Sequence, residues 1–257
     1  MAKKETVLIT GASGGIGYEL AKLFAHKGYH LILTARNNQK LKALKDKLQK
    51  ETNSKIAIIS EDLSQIGAGQ RIFEKVKAIG ARVDMLINNA GAGYTGAFHE
   101  KAYEQDFQIM QLNMGALTEL TKLFGGEMIT NKHGKILNVA STGSYHGGPY
   151  TAVYYATKAY VLSLTEALQT ELKPYGITVS VLCPGATQTE FAKRAGRKDA
   201  GIAMEAKTVA EIAFKGLMKD KKIIIPGVRN KLFIKIPRKW ASQMVGRYQK
   251  TLMIKKR

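Results

Sequence analysis

"TGASGGIG", residues 10–17, follows a short β-branched run, "ETVLIT" (5–10), and opens a segment, 15–28, long enough for a helix. Glycines at 11, 15 and 17 permit a tight turn, a close approach of backbone to a ligand, and close packing of the helix behind. The N-terminus of that helix favours negative charge, so a pyrophosphate is the expected ligand. The spacing is GxxxGxG rather than GxGxxG. A glycine-rich turn also serves purely as a turn; its place between a first strand and a first helix is what points to a dinucleotide.

Outward from this loop the same alternation continues. "HLILTA" (30–35), "KIAIIS" (55–60), "DMLINN" (84–89), "GKILNVAS" (134–141), "ITVSVLCPG" (177–185) and "KKIIIP" (221–226) read as short strands, with helices expected over 38–52 and 64–80. Near-continuous apolar strands alternating with helices mean a parallel sheet covered on both faces. The expected class is α/β: one doubly wound, Rossmann-like parallel sheet over residues 1–226, followed by a basic C-terminal extension, 227–257. At 257 residues and 45% hydrophobic the chain suits one large domain. Residues 186–206, rich in Lys, Arg, Ala and Gly, interrupt the alternation beyond the carboxyl end of a strand and form a candidate substrate lid.

A single cysteine, Cys183, excludes an intrachain disulfide and is expected to be buried in a reducing compartment. No run of about 18 apolar residues occurs, so no spanning helix is expected and the protein is placed in the cytoplasm. The net charge is +20, but residues 221–257 hold 12 Lys or Arg and no acid, leaving +8 for residues 1–220. The basicity belongs to the tail, with few stacking aromatics, which argues against a nucleic-acid partner.

The second strand ends "LTARNN". A carboxylate there would bind the adenosine ribose of NAD, whereas an arginine accepts a 2′-phosphate. Here Ala35 is followed by Arg36, which favours NADP(H), with Ser13 and Asn37 as helpers; the alternative is a solvated loop arginine.

"TGASGGIG", "NNAG" (88–91), Asn113 in "NMGA", Ser141, "YYATK" (154–158) and "PGATQT" (184–189), in this order, resemble the short-chain dehydrogenase/reductase family over about residues 5–226, most closely its 3-oxoacyl reductase and hydroxysteroid dehydrogenase branch. The family's YxxxK fits Tyr154 and Lys158, while Tyr155 has Ala159 at that spacing. Residues i and i+4 share a helix face, so Tyr154 and Lys158 can meet one ligand and Tyr155 points elsewhere, into packing or a subunit contact. The resemblance implies a Tyr154 hydroxyl that donates a proton to a ketone oxygen as hydride arrives, helped by the Lys158 ammonium, which is expected to lower the usual tyrosine pKa of about 10. It also implies that Lys158, beside Tyr154, binds the nicotinamide ribose, that Ser141 polarises the carbonyl, and that Asn113 holds a water. Further implied cofactor contacts are Ile16 behind the dinucleotide, Asp62 and Leu63 at the adenine, Asn89, Ala90 and Gly91 beneath the adenosine ribose, and Pro184, Gly185, Thr187 and Thr189 at the nicotinamide; for Asn89 a purely structural role in the central sheet stands as the alternative. No metal is expected.

The tail departs from the family, which makes its usual tetramer doubtful; a homodimer through helices around 103–130 and 150–173 is expected instead. On a helical wheel over 238–254, Trp240, Ala241, Met244, Val245, Tyr248 and Leu252 share an arc, with Arg238, Lys239, Arg247 and Lys250 off it or at its edge. Such a helix either lies on anionic lipid or docks on its own domain or a partner, and both readings stand. The expected function is NADP-dependent hydride transfer to or from a hydrophobic, lipid-derived carbonyl or alcohol. The competing expectation is a dinucleotide-sensing protein with a silent site, held at a membrane by its tail.

Overall fold

In the computed structural model, which describes residues 4–196 and 201–252, the β-branched runs lie side by side as parallel strands. In chain order the strands are β1 (Thr6–Thr10), β2 (His30–Ala35), β3 (Ile56–Ser60), β4 (Met85–Asn88), β5 (Gly134–Val139), β6 (Ile177–Leu182), β7 (Thr187–Gln188), β8 (Met204–Glu205) and β9 (Ile223–Ile224). Seven of them form one sheet in the order β3-β2-β1-β4-β5-β6-β9, and β7 pairs with β8 apart from it. The order reverses between β1 and β4, which opens a crevice beyond their carboxyl ends.

The helices are α1 (Gly15–His26), α2 (Asn38–Glu51), α3 (Ala68–Ala78), α4 (Tyr103–Met110), α5 (Ala116–Asn131), α6 (Ala152–Glu171), α7 (Phe191–Arg194), α8 (Ala206–Met218), α9 (Val228–Phe233) and α10 (Arg238–Leu252). The central strands are mostly apolar because both of their faces are buried, yet the pleat still sorts them. Val7 and Ile9 of β1 join Leu20, Phe24, Leu33 and Ala213 on one side of the sheet. Leu8 between them joins Ile72, Leu86, Phe124 and Ile136 on the other. Cys183, just past β6, is fully buried, and its backbone N–H donates to the Ile224 carbonyl at 2.8 Å.

Several expected bounds change. The helix expected over 103–130 is interrupted by a π-helical segment, Gln111–Gly115, between α4 and α5. The fifth strand stops at Val139 rather than 141, because Ser141 caps a short turn, Thr142–Tyr145. The lid folds as β7, α7 and β8; its residues 197–200 lie outside the described residues, as do 253–257 of the tail.

Candidate active site

The glycine loop shows why three of its four glycines are there. Gly11 and Gly15 have φ of 66° and 57°, a region that costs an L side chain energy. A Cβ on Gly11 would lie 2.9 Å from Ala90 Cα, and one on Gly15 would lie 2.9 Å from Thr189 Cγ2. Gly17 is inside α1, where a Cβ would lie 2.4 Å from Asn89 Nδ2 and 2.5 Å from the Gly11 carbonyl. A Cβ at Gly14, by contrast, would meet nothing within 4 Å, so space stays open at the N-terminus of α1. Ser13 and Ile16 sit half-buried on the same loop.

Asn89 fastens this loop from below. Its Nδ2 donates to the Thr10 carbonyl at 2.9 Å, while Thr10 Oγ1 accepts from the backbone N–H groups of Asn89 and Ala90 at 2.9 Å each. The Asn89 amide is therefore committed to the loop itself. One residue earlier, buried Asn88 donates to Asn138 Oδ1 at 2.9 Å and to Thr121 Oγ1 at 3.0 Å, tying β4 to β5 and α5.

At the end of β2, Arg36 is exposed, and no acid adjoins it in the sequence. Asn37 caps α2, its Oδ1 accepting from the Lys40 N–H at 2.8 Å. Asp62 Oδ1 accepts from the Ser64 N–H at 3.1 Å and from its hydroxyl at 2.9 Å, and Leu63 is buried. Both polar residues thus have local tasks that the sequence reading did not assign.

On α6, Lys158 reaches past Tyr154. Its Nζ lies 5.9 Å from the Tyr154 ring centroid and donates to the Val139 carbonyl at 2.7 Å. Lys158 is only 4% exposed, and burial pushes its pKa down to about 8. Asn113, inside the π-helical segment, accepts from the Ala92 N–H at 3.0 Å and donates to the Ala92 carbonyl and Thr157 Oγ1, each at 2.9 Å. A Cβ on Gly91 would lie 3.3 Å from both Asn113 Oδ1 and Lys158 Nζ, so a glycine lets these two groups converge. Ser141 Oγ accepts from the Gly143 N–H at 3.0 Å. Ser144 accepts from the Ser141 N–H at 3.3 Å and donates to the Lys158 carbonyl at 2.7 Å, which ties the Ser141 turn to α6.

The two tyrosine rings meet edge to face, 6.0 Å apart, yet their further contacts differ. The Tyr154 ring lies 5.4 Å from that of Phe191, and a Cβ on Gly93 would come within 2.8 Å of it. Tyr155 instead packs on Gly148, where a Cβ would lie 2.2 Å from its ring, and on Gly143.

Residues 5–200 match the profile of the short chain dehydrogenase family. The chain belongs to the short-chain dehydrogenase/reductase family. It is 32% identical over 208 residues to an acetoacetyl-CoA reductase of an Acinetobacter species, covering 80% of this chain and 83% of the relative. A short-chain dehydrogenase from Sphingobium yanoikuyae in complex with NADPH superposes with a TM-score of 0.84 at 31% identity, covering 98% of this chain and 96% of the other. A bulky-bulky ketone specific alcohol dehydrogenase from Comamonas testosteroni gives 0.79 at 28% identity, covering 98% and 95%. The protein is therefore an oxidoreductase of a family that uses nicotinamide cofactors.

In this short-chain dehydrogenase the described part of the candidate lid meets the glycine loop and the loop after β4. Thr189 faces Gly15 and its Oγ1 accepts from the Phe191 N–H at 3.2 Å; the Ala195 carbonyl accepts from the Thr95 N–H at 2.8 Å. Lys40 of α2 reaches Glu190 at 3.3 Å, and Arg194 pairs with the same carboxylate. Those two cations, Arg194 foremost, hold Glu190 below the usual carboxylate range. The Pro184 carbonyl accepts from the Thr142 N–H at 2.9 Å, and Thr187 Oγ1 donates to the Gly185 carbonyl at 3.1 Å.

The tail completes this side of the enzyme. A Cβ on Gly185 would lie 2.3 Å from Asn230 Oδ1, the Phe233 ring sits 4.9 Å from that of His146, and His146 Nε2 is 3.2 Å from the Phe233 carbonyl. On α10, Ala241, Val245, Gly246, Gln249 and Leu252 are buried, with Gly246 against Pro149. The arc seen on the helical wheel is thus split: one edge docks on the 146–150 loop, while Trp240, Met244 and Tyr248 stay exposed. Thr10, Ser144, Thr157, Phe191 and Asn230 are additions to the site. Thr10 and Thr157 stand inside motifs the sequence reading quoted, whereas Phe191 and Asn230 arrive by tertiary contacts that no local pattern announces.

Proposed function

We propose that this enzyme transfers a hydride between NADP(H) and the carbonyl or alcohol carbon of a hydrophobic ketone substrate of the 3-oxoacyl kind. The observation that carries the reading is the convergence of Asn113 and Lys158 at Gly91, with Tyr154 on the Lys158 face of α6 and the Ser141 turn tied to that helix. The cradle fits the cofactor: left-handed glycines, open space at Gly14 and the free N-terminus of α1 suit a pyrophosphate. Exposed Arg36, with no acid next to it in the sequence, suits a 2′-phosphate, with Ser13 of the glycine loop as a helper. The bound nicotinamide supplies or accepts the hydride.

The side chains do the rest. In the reductive direction negative charge builds on the substrate oxygen; the Tyr154 hydroxyl donates its proton there and the Ser141 hydroxyl adds a hydrogen bond. Lys158, anchored on the Val139 carbonyl, brings a cation to the tyrosine, and Asn113 fixes the surrounding turn. Phe191 and the bare backbone at Gly93 give the cleft an apolar wall at Tyr154, which suits an acyl or other bulky ketone. The acetoacetyl-CoA reductase and bulky-ketone dehydrogenase relatives support that substrate class, and the NADPH complex supports the cofactor. Exposed Tyr103, Phe107 and Tyr160 on α4 and α6 support a homodimer through those helices.

The test is NADPH oxidation against 3-oxoacyl thioesters of increasing chain length. Tyr154→Phe is expected to lower kcat by roughly 100-fold or more with NADPH affinity retained. Arg36→Ala is expected to weaken NADPH binding about tenfold or more and NADH binding little. Retained turnover in the first variant, or equal loss for both cofactors in the second, would refute the corresponding role.

A further inference from the structure

Trp240, Met244 and Tyr248 follow one another at i, i+4 and i+8 along α10, and they remain 63%, 52% and 40% exposed although the adjacent edge of the same helix is buried. On α9, Val228 and Leu232 are exposed too. Water around a Trp, a Met and a Tyr in one row is unfavourable, and such rows mark surfaces that receive a partner. The charges beside them are of one sign: Arg229, Lys231, Lys235, Arg238, Lys239, Arg247 and Lys250, with no acid anywhere in 221–257. A second copy of the chain meeting this face with its own would oppose cation to cation, which disfavours self-association there.

We propose that α9 and α10 form a peripheral docking site for an anionic phospholipid bilayer. Trp240, Met244 and Tyr248 enter the boundary between headgroups and acyl chains, and the surrounding cations meet lipid phosphates. The docked edge of α10 holds the helix on Pro149 and Gly147, and α9 sits against Gly185 and His146. These segments flank the Ser141 turn and the start of the lid, so docking brings the substrate entrance to the lipid surface. That last step rests on the proposed function; the docking itself does not.

The test uses the full-length protein and vesicles of phosphatidylglycerol or of phosphatidylcholine, read by co-sedimentation and by fluorescence. Trp240 is the single tryptophan of the chain, so its emission reports this helix alone. Sedimentation with phosphatidylglycerol only, a blue shift of Trp240 and weakening by salt are expected. Combined Trp240→Ser, Met244→Ser and Tyr248→Ser is expected to lower partitioning at least about tenfold, and Lys239→Glu with Arg247→Glu by a similar factor. Because these side chains are exposed, thermal unfolding and turnover of a water-soluble ketone should match wild type. Equal binding by the variants, or no blue shift, overturns the proposal. So does a concentration-dependent dimer lost in the triple variant without vesicle binding, which gives the face to a second copy, or binding to polyglutamate but not to vesicles, which gives it to an acidic protein. Vesicle binding without ketone turnover would remove the proposed function and leave the docking site standing.

Discussion

Lys158 is held in place at a cost. Burial moves its pKa from 10.5 to about 8, equivalent to roughly 3 kcal/mol against the charged form when the unfolded chain is the reference. Between those two values the unfolded chain binds more protons than the folded one, so stability rises as pH climbs from about 8 toward 10.5. Lys158→Met is therefore expected to abolish turnover yet raise the melting temperature at pH 7 by roughly 5 °C, and to flatten the rise at alkaline pH; calorimetry of the cofactor-free protein would show both. The pairing of Tyr154 with Lys158 was legible through the family's YxxxK, whose spacing puts both on one helix face. The Val139 carbonyl that holds Nζ was not, because it depends on where β5 lies beside α6. Asn113 was visible only through the family pattern, since its bonds to Ala92 and Thr157 need the π-helical segment to exist.

Among the elements, the first turn of α1 discriminates most sharply between glycines that look alike in sequence. Gly17→Ala drives a Cβ into Asn89 Nδ2 and the Gly11 carbonyl, and is expected to cost about 1–3 kcal/mol and to weaken NADPH binding. Gly14→Ala meets open space, and its φ of −177° suits any residue; the cofactor-free variant should melt within about 0.5 kcal/mol of wild type. Thermal unfolding of the pair, without and with NADPH, checks this. The seven strands were readable because a doubly buried parallel strand advertises itself locally as a β-branched run. The π-helical segment was not, because helical periodicity over 103–130 does not say where one turn widens. Likewise the wheel gave the arc of α10 but not which edge docks, a choice made by Pro149 and Gly147 of a distant loop.

For the molecule as a whole, the tail is a structural part of the enzyme. Val245, Leu252 and Ala241 are buried and Phe233 packs on His146, so a chain ending at Pro226 loses several kcal/mol of apolar burial. Its melting temperature is expected to fall by roughly 10 °C, with KM rising more for ketones than for NADPH; an unchanged melting temperature would contradict the docking seen on the 146–150 loop. The fully buried Cys183 carries a consequence of another kind. Burial pushes its thiol up to about 12, and it packs with Ala140, Val161, Leu162 and Tyr145 beneath the Ser141 turn and α6. A thiol reagent reaches it only when that cover lifts, so the rate of its alkylation counts spontaneous openings of the fold. With one cysteine in the chain, each molecule carries a single irreversible mark, a chemical clock on which NADPH or lipid can be timed by how long they hold that cover shut.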